Sequence, residues 1–143
     1  MELLRRGWIE WTLILITVAG LAIDAYVHLH IASSYHLVRT SALSQTDLFR
    51  IESAMAIVAA IWLVLRPNLL SAAAACLVGA AGVAAVTFYY YVDPGQLGPI
   101  PDMYEPVWSA DKTRSFDGEA LAAVAAFVLA LIYLRRTPRK ARS

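Results

Sequence analysis

Residues 8 to 31 read WIEWTLILITVAGLAIDAYVHLHI, and this stretch decides the fold class. A helix needs about 20 residues, at 1.5 Å each, to cross the hydrocarbon core of a bilayer. The stretch is long enough, and Trp8 and Trp11 lie where interfacial anchors are expected. Because it continues to Asp24 without a small-residue cleavage site, we interpret it as a transmembrane helix and not as a secretory signal.

The composition of the whole chain supports a membrane protein. Its 143 residues are 59% hydrophobic and 16% charged, which is too apolar for an ordinary soluble domain. The sequence predicts an all-α polytopic membrane protein, an antiparallel four-helix transmembrane bundle with a proline-rich outer loop between helices 3 and 4. We place the four spans at residues 8–31, 48–65, 69–92 and 118–134 of a single membrane domain, residues 1–143.

The basic residues predict the topology. Those that we assign to one side are Arg5, Arg6, Arg66, Arg135, Arg136, Arg139, Lys140 and Arg142. The positive-inside rule then makes both termini cytoplasmic, in a bacterial-type plasma membrane. Residues 93–117 become an outer capping loop and residues 135–143 a basic cytoplasmic tail.

Turn residues predict where the helices begin and end. Ser44 and Asp47 have the spacing of a capping box at the start of the second helix. Pro67 ends that helix sharply. Asp117 is expected to be the N-cap of the fourth helix. Small residues along the third helix, including Gly79 and Gly82, predict close packing against a neighbour.

The first helix carries polar residues along one face. At 100° per residue, Glu10, Thr17, Asp24 and His28 fall in one narrow sector, whereas His30 points away from His28. Near the cytoplasmic end, Glu10 is expected to reach the interface beside Arg5 or Arg6.

Carboxylates at the outer ends of the helices, together with the histidines, predict a polar site. Helical bundles commonly bind divalent metals with inward-facing carboxylates and imidazoles. Our first choice of ligands is Asp24, His28 and Glu52, for zinc, copper or iron. The second choice is His30, His36, Asp93 and Glu119. The alternative is a structural pair, in which Asp24 binds His28, Arg39 or Arg50 and locks the bundle without a ligand.

The outer loop combines prolines with aromatic residues. Met103, Tyr104, Glu105 and Trp108 are predicted to dock a partner protein, and interfacial anchoring by Tyr104 and Trp108 is the alternative. We expect membrane lipid, and either another membrane protein or a second copy of the chain, as partners. We do not expect nucleic acid as a partner, because the basic residues are assigned to membrane topology.

The function predicted from these patterns is binding rather than catalysis. The chain lacks a phosphate-binding glycine loop, HExxH, CxxC and a GxSxG elbow. We therefore predict a small membrane protein that acts as an accessory subunit or ligand-binding module. The alternative is a membrane-embedded metal-dependent enzyme, or a small carrier, that uses a divalent metal or a proton at the polar site.

Overall fold

The computed structural model describes residues 7–136. They form four α-helices, α1 (Trp8–Ile31), α2 (Gln45–Leu65), α3 (Leu69–Tyr91) and α4 (Ala110–Arg136), and a 3₁₀ turn, Ala32–Tyr35, that follows α1. All four α-helices are long and apolar enough to cross a membrane. Within residues 7–136 there is no β-strand, so the prediction of an all-helical protein with four potential membrane spans is confirmed.

Side-chain caps fix the starts of α2 and α3. Ser44 Oγ accepts the backbone N–H of Asp47 at 3.1 Å, and the Asp47 carboxylate accepts that of Ser44 at 3.0 Å. The predicted capping box is therefore present. Asn68 Oδ1 caps α3 by accepting the backbone N–H groups of Leu70 and Ser71.

The fourth helix begins at Ala110, earlier than the predicted start at residue 118. Ser109 takes the capping role that we had expected of Asp117, because its Oγ accepts the Lys112 backbone N–H at 3.1 Å. The first turns of α4 are polar and gain an ion pair between Asp111 and Arg114. Because hydropathy does not mark such polar turns as part of a membrane span, we had predicted that they belong to the loop.

The helices pack in a ring in which α1 contacts α2 and α4, and α3 contacts α2 and α4. Glycines permit the closest approaches. A Cβ atom on Gly20 of α1 would overlap the Gly118 carbonyl oxygen and lie 2.9 Å from the Ala122 backbone nitrogen, both in α4. A Cβ atom on Gly79 of α3 would lie 2.7 Å from the Glu119 carbonyl oxygen. The close packing predicted for α3 is therefore present.

An ion pair joins the start of α1 to the end of α4. Glu10 is only 2% exposed, and Arg136 donates a hydrogen bond to its carboxylate. The burial of Glu10 against α4 and its pairing with Arg136 were not predicted. Arg5 and Arg6, its expected neighbours, lie outside the described residues, as does most of the predicted basic tail.

The two long connections meet at the opposite end, which we call the loop end. Thr40 Oγ1 donates to the Pro99 carbonyl oxygen at 2.8 Å. The Tyr35 hydroxyl donates to a carboxylate oxygen of Glu105 at 3.2 Å. These two hydrogen bonds join the connection between α1 and α2 to the connection between α3 and α4.

Candidate metal centre

The α1 part of the site is a buried carboxylate–imidazole pair. Asp24 is fully buried and His28 is 7% exposed. They lie one turn apart, and His28 Nδ1 is 2.7 Å from Asp24 Oδ1. The predicted pairing along one helix face is therefore present. Arg39 and Arg50, the other predicted partners of Asp24, instead line a separate loop-end pocket beside Asp47.

Helix α4 contributes a serine and a second buried carboxylate. Ser115 Oγ lies 3.2 Å from Asp24 Oδ1 and 3.0 Å from Glu119 Oε1, so it bridges the two acids. A hydroxyl has one proton and can donate to only one of them. Sequence reasoning missed Ser115 because it placed this residue in the loop. Ser115 precedes Glu119 by four residues. An earlier predicted start of α4 would therefore have placed both residues on one helix face.

Glycine in α3 makes room for the second carboxylate. A Cβ atom at Gly82 would overlap the carboxyl group of Glu119, with Oε1 only 2.5 Å away. Glu119 itself is fully buried. Any larger residue at position 82 would displace this carboxyl group, so Gly82 leaves the space that it occupies.

The cluster contains more negative charge than its neighbours neutralise. Within residues 7–136, three buried carboxylate oxygens lack a hydrogen-bond partner: Asp24 Oδ2, Glu52 Oε1 and Glu119 Oε2. Burying charge without compensation costs several kcal/mol per ion. Three carboxylates share one imidazole, so the site needs further positive charge, either as protons or as a bound cation.

Glu52 lies beside this cluster, on the wall of a cavity. The cavity has a volume of about 170 Å³ and lies under the loop end between α2 and α3. Its wall includes His28 and Glu119, and also Phe49, Tyr89, Tyr90, Met103, Glu105 and Lys112. The cluster therefore has an open side toward the cavity.

The remaining second-choice ligands lie apart from the cluster. His30 is exposed and stacks on Tyr26 at a centroid distance of 5.8 Å. His36 is exposed, with Nδ1 2.8 Å from the Ser33 carbonyl oxygen. Asp93 is exposed and accepts the Gly95 backbone N–H. Helical spacing had already separated His30 from His28.

Two of the four predicted docking residues face the cavity and not the outer surface of the loop. Met103 and Glu105 line the cavity, and Glu105 also pairs with Lys112 at 3.3 Å. Trp108 packs edge-on against Tyr90 and Phe116. Tyr104 remains 38% exposed.

Asp24, His28 and Glu119 form a group whose side chains could hold a metal ion. Each offers one ligand atom, and these atoms lie within 4.8 Å of one another. Zinc holds oxygen and nitrogen ligands at about 2.0–2.2 Å, which separates tetrahedral ligand atoms by about 3.4 Å. Small side-chain movements would therefore close the group around an ion. Glu119, a second-choice residue, occupies the position in this group that we had given to Glu52.

Comparisons with known protein families, with curated proteins and with solved structures found no match to this chain.

Proposed function

We propose that this protein is an integral membrane protein that binds one divalent transition-metal ion through Asp24, His28 and Glu119. The main support for this proposal is that three buried residues place their ligand atoms within 4.8 Å of one another. Asp24 and Glu119 each also have a buried carboxylate oxygen without a hydrogen-bond partner. Carboxylate and imidazole ligands suit zinc, iron and copper(II). Inward-facing side chains on neighbouring helices are the usual way for a bundle to hold such ions.

A divalent ion would supply the positive charge that the buried acids require. A doubly charged cation neutralises the Asp24 and Glu119 carboxylates while His28 binds as a neutral ligand. Without a metal ion, the side-chain contacts of these two acids in the cluster are with the hydroxyl of Ser115 and, for Asp24, the ring of His28. Ionisable residues at membrane depth are costly, and they are usually retained for a function.

The membrane arrangement that we propose is an antiparallel bundle with both termini cytoplasmic and the loop end outside, in a bacterial-type plasma membrane. The contact of Glu10 with Arg136 and that of Thr40 with Pro99, at opposite ends, support this arrangement. The distribution of arginines supports the orientation. The proline-rich loop then covers the metal centre on its outer side.

The role that we favour is that of a ligand-binding module, because the ligand atoms are accompanied by an adjoining cavity. An accessory-subunit role, and catalysis or transport by the bound metal, remain predictions from the sequence. Copurification of the chain with a defined larger complex is the observation that favours the subunit role.

A cobalt(II) titration tests metal binding directly. Untagged protein in detergent is stripped with a chelator and titrated while visible absorption is recorded. We expect saturation at one equivalent, with zinc displacing cobalt. His28→Ala should lose the cobalt spectrum, because it removes the nitrogen ligand.

Asp93→Asn is the matched control for this titration, since it removes an exposed loop-end carboxylate outside the cluster. It should bind cobalt as the wild type does. The absence of saturable binding to wild-type protein, or an unchanged spectrum in His28→Ala, would refute the proposed function.

A further inference from the structure

The cavity beside the metal centre combines a carboxylate with an aromatic wall. Glu52 Oε1 is buried and has no hydrogen-bond partner within residues 7–136. Phe49, Tyr89 and Tyr90 line the same space. The volume of about 170 Å³ is below the range of about 300–1,000 Å³ typical of pockets for drug-sized ligands, so the occupant should contain few heavy atoms.

With Glu52 ionised, the charges on the cavity wall favour a cation over an anion as the occupant. With a divalent ion on Asp24, His28 and Glu119, the carboxylate of Glu52 is the remaining uncompensated group on the cavity wall. Lys112 does not neutralise it, because its ammonium donates to the carbonyl oxygens of Glu105 and Val107 and pairs with the Glu105 carboxylate. A singly charged cation would balance Glu52.

The aromatic wall indicates the chemical class of that cation. The faces of aromatic rings attract ammonium groups within about 6 Å of the centroid. The protein already uses this interaction at the cavity wall, where Lys112 Nζ lies 5.8 Å from the Tyr90 ring centroid. Carbon-bearing ammonium ions also gain from burying apolar surface against Phe49 and Met103, which an inorganic monocation cannot do.

We propose that this cavity binds a small organic ammonium ion, with its charge paired to Glu52 and its carbon atoms against the aromatic wall. The proposal rests on the proposed metal centre in one respect, since the metal ion accounts for the charge of Glu119 and leaves that of Glu52 to the ammonium ligand. The protein would then bind two ligands, the metal ion and an exchangeable organic cation.

Choline and its neutral isostere 3,3-dimethylbutanol provide a test, because they share a shape and differ in charge. Binding of each is measured by calorimetry on zinc-loaded protein in detergent. We expect choline to bind at least tenfold more tightly than the alcohol. Glu52→Gln should abolish this preference and retain zinc, whereas the control Asp93→Asn should keep both.

Equal affinity for the two probes, or a preference that persists in Glu52→Gln, overturns the ammonium proposal, and it leaves the metal proposal intact if zinc still binds. A preference for choline in protein that binds no zinc supports the ammonium site and refutes the metal centre. If Glu52→Gln does not fold, Phe49→Leu replaces it and should reduce the preference severalfold, because one ring of the wall is lost. An unchanged preference in Phe49→Leu counts against the proposal.

Discussion

Glu119→Gln is expected to weaken zinc binding by more than about 100-fold, a larger loss than the 10–100-fold typical of residues that only support a ligand. The amide keeps the shape that fits beside Gly82 and can still bond to Ser115 Oγ, but it lacks the charge of a metal ligand. In wild-type protein, zinc at 100 times its dissociation constant should stabilise the fold by about 2.7 kcal/mol. Glu119→Gln should lose this stabilisation at the same concentration.

Thermal unfolding with and without zinc measures this effect, and Asp117→Asn is the control. Asp117 is an exposed carboxylate on the same helix, two residues from Glu119. Its substitution should leave the zinc response unchanged. If the cluster served only to lock the helices, Glu119→Gln would destabilise the metal-free protein, and zinc would stabilise neither form.

Gly20→Leu is expected to disrupt the bundle itself. Already at its Cβ atom the new side chain would overlap the backbone of α4 at Gly118 and Ala122. Overpacking of an interior typically costs about 1–3 kcal/mol, and backbone cannot move aside as a side chain can, so we expect a loss beyond about 3 kcal/mol. Separation of α1 from α4 should also move Asp24 away from Ser115 and abolish zinc binding.

The control for this change is Ala22→Leu, on the exposed face of the same helix. Thermal unfolding and size-exclusion chromatography in detergent should show Ala22→Leu to be like wild type and Gly20→Leu to be unfolded or aggregated. An unchanged melting temperature in Gly20→Leu would show that the close approach of α1 and α4 is not required.

The sequence predicted the α1 half of the site, because helical spacing alone determines which residues share a face. Asp24 and His28 are four residues apart and were expected to pair, and His30 was expected to point away. The four helices were predictable because the length and hydropathy of a membrane span are local properties. The capping box at Ser44 and Asp47 was likewise a local signal.

The α4 half was not fully predictable, because it depends on helix boundaries and rotations. The polar turn that contains Ser115 resembles a loop in hydropathy. The choice between Glu52 and Glu119 depends on how α2 and α4 rotate about their axes. Helices that are apolar all round do not specify this rotation through their hydrophobic pattern. For the same reason, the sequence did not reveal that Gly82 leaves space for the Glu119 carboxyl group.

The pairing of Glu10 with Arg136 shows a similar limit. The positive-inside rule predicts that α1 and α4 have basic residues at the same end of the bundle. Which arginine meets Glu10 depends on the order of helices around the ring, and in this chain α4 packs directly against α1. The sequence suggested only the nearest arginines, Arg5 and Arg6, which lie outside the described residues.

Anomalous X-ray diffraction at the zinc edge, from crystals grown with one equivalent of zinc, tests the metal centre most directly. We expect one strong peak among Asp24, His28 and Glu119, with ligand atoms at about 2.0–2.2 Å from it. An empty cluster, with zinc bound only at exposed histidines such as His30 and His36, would contradict it.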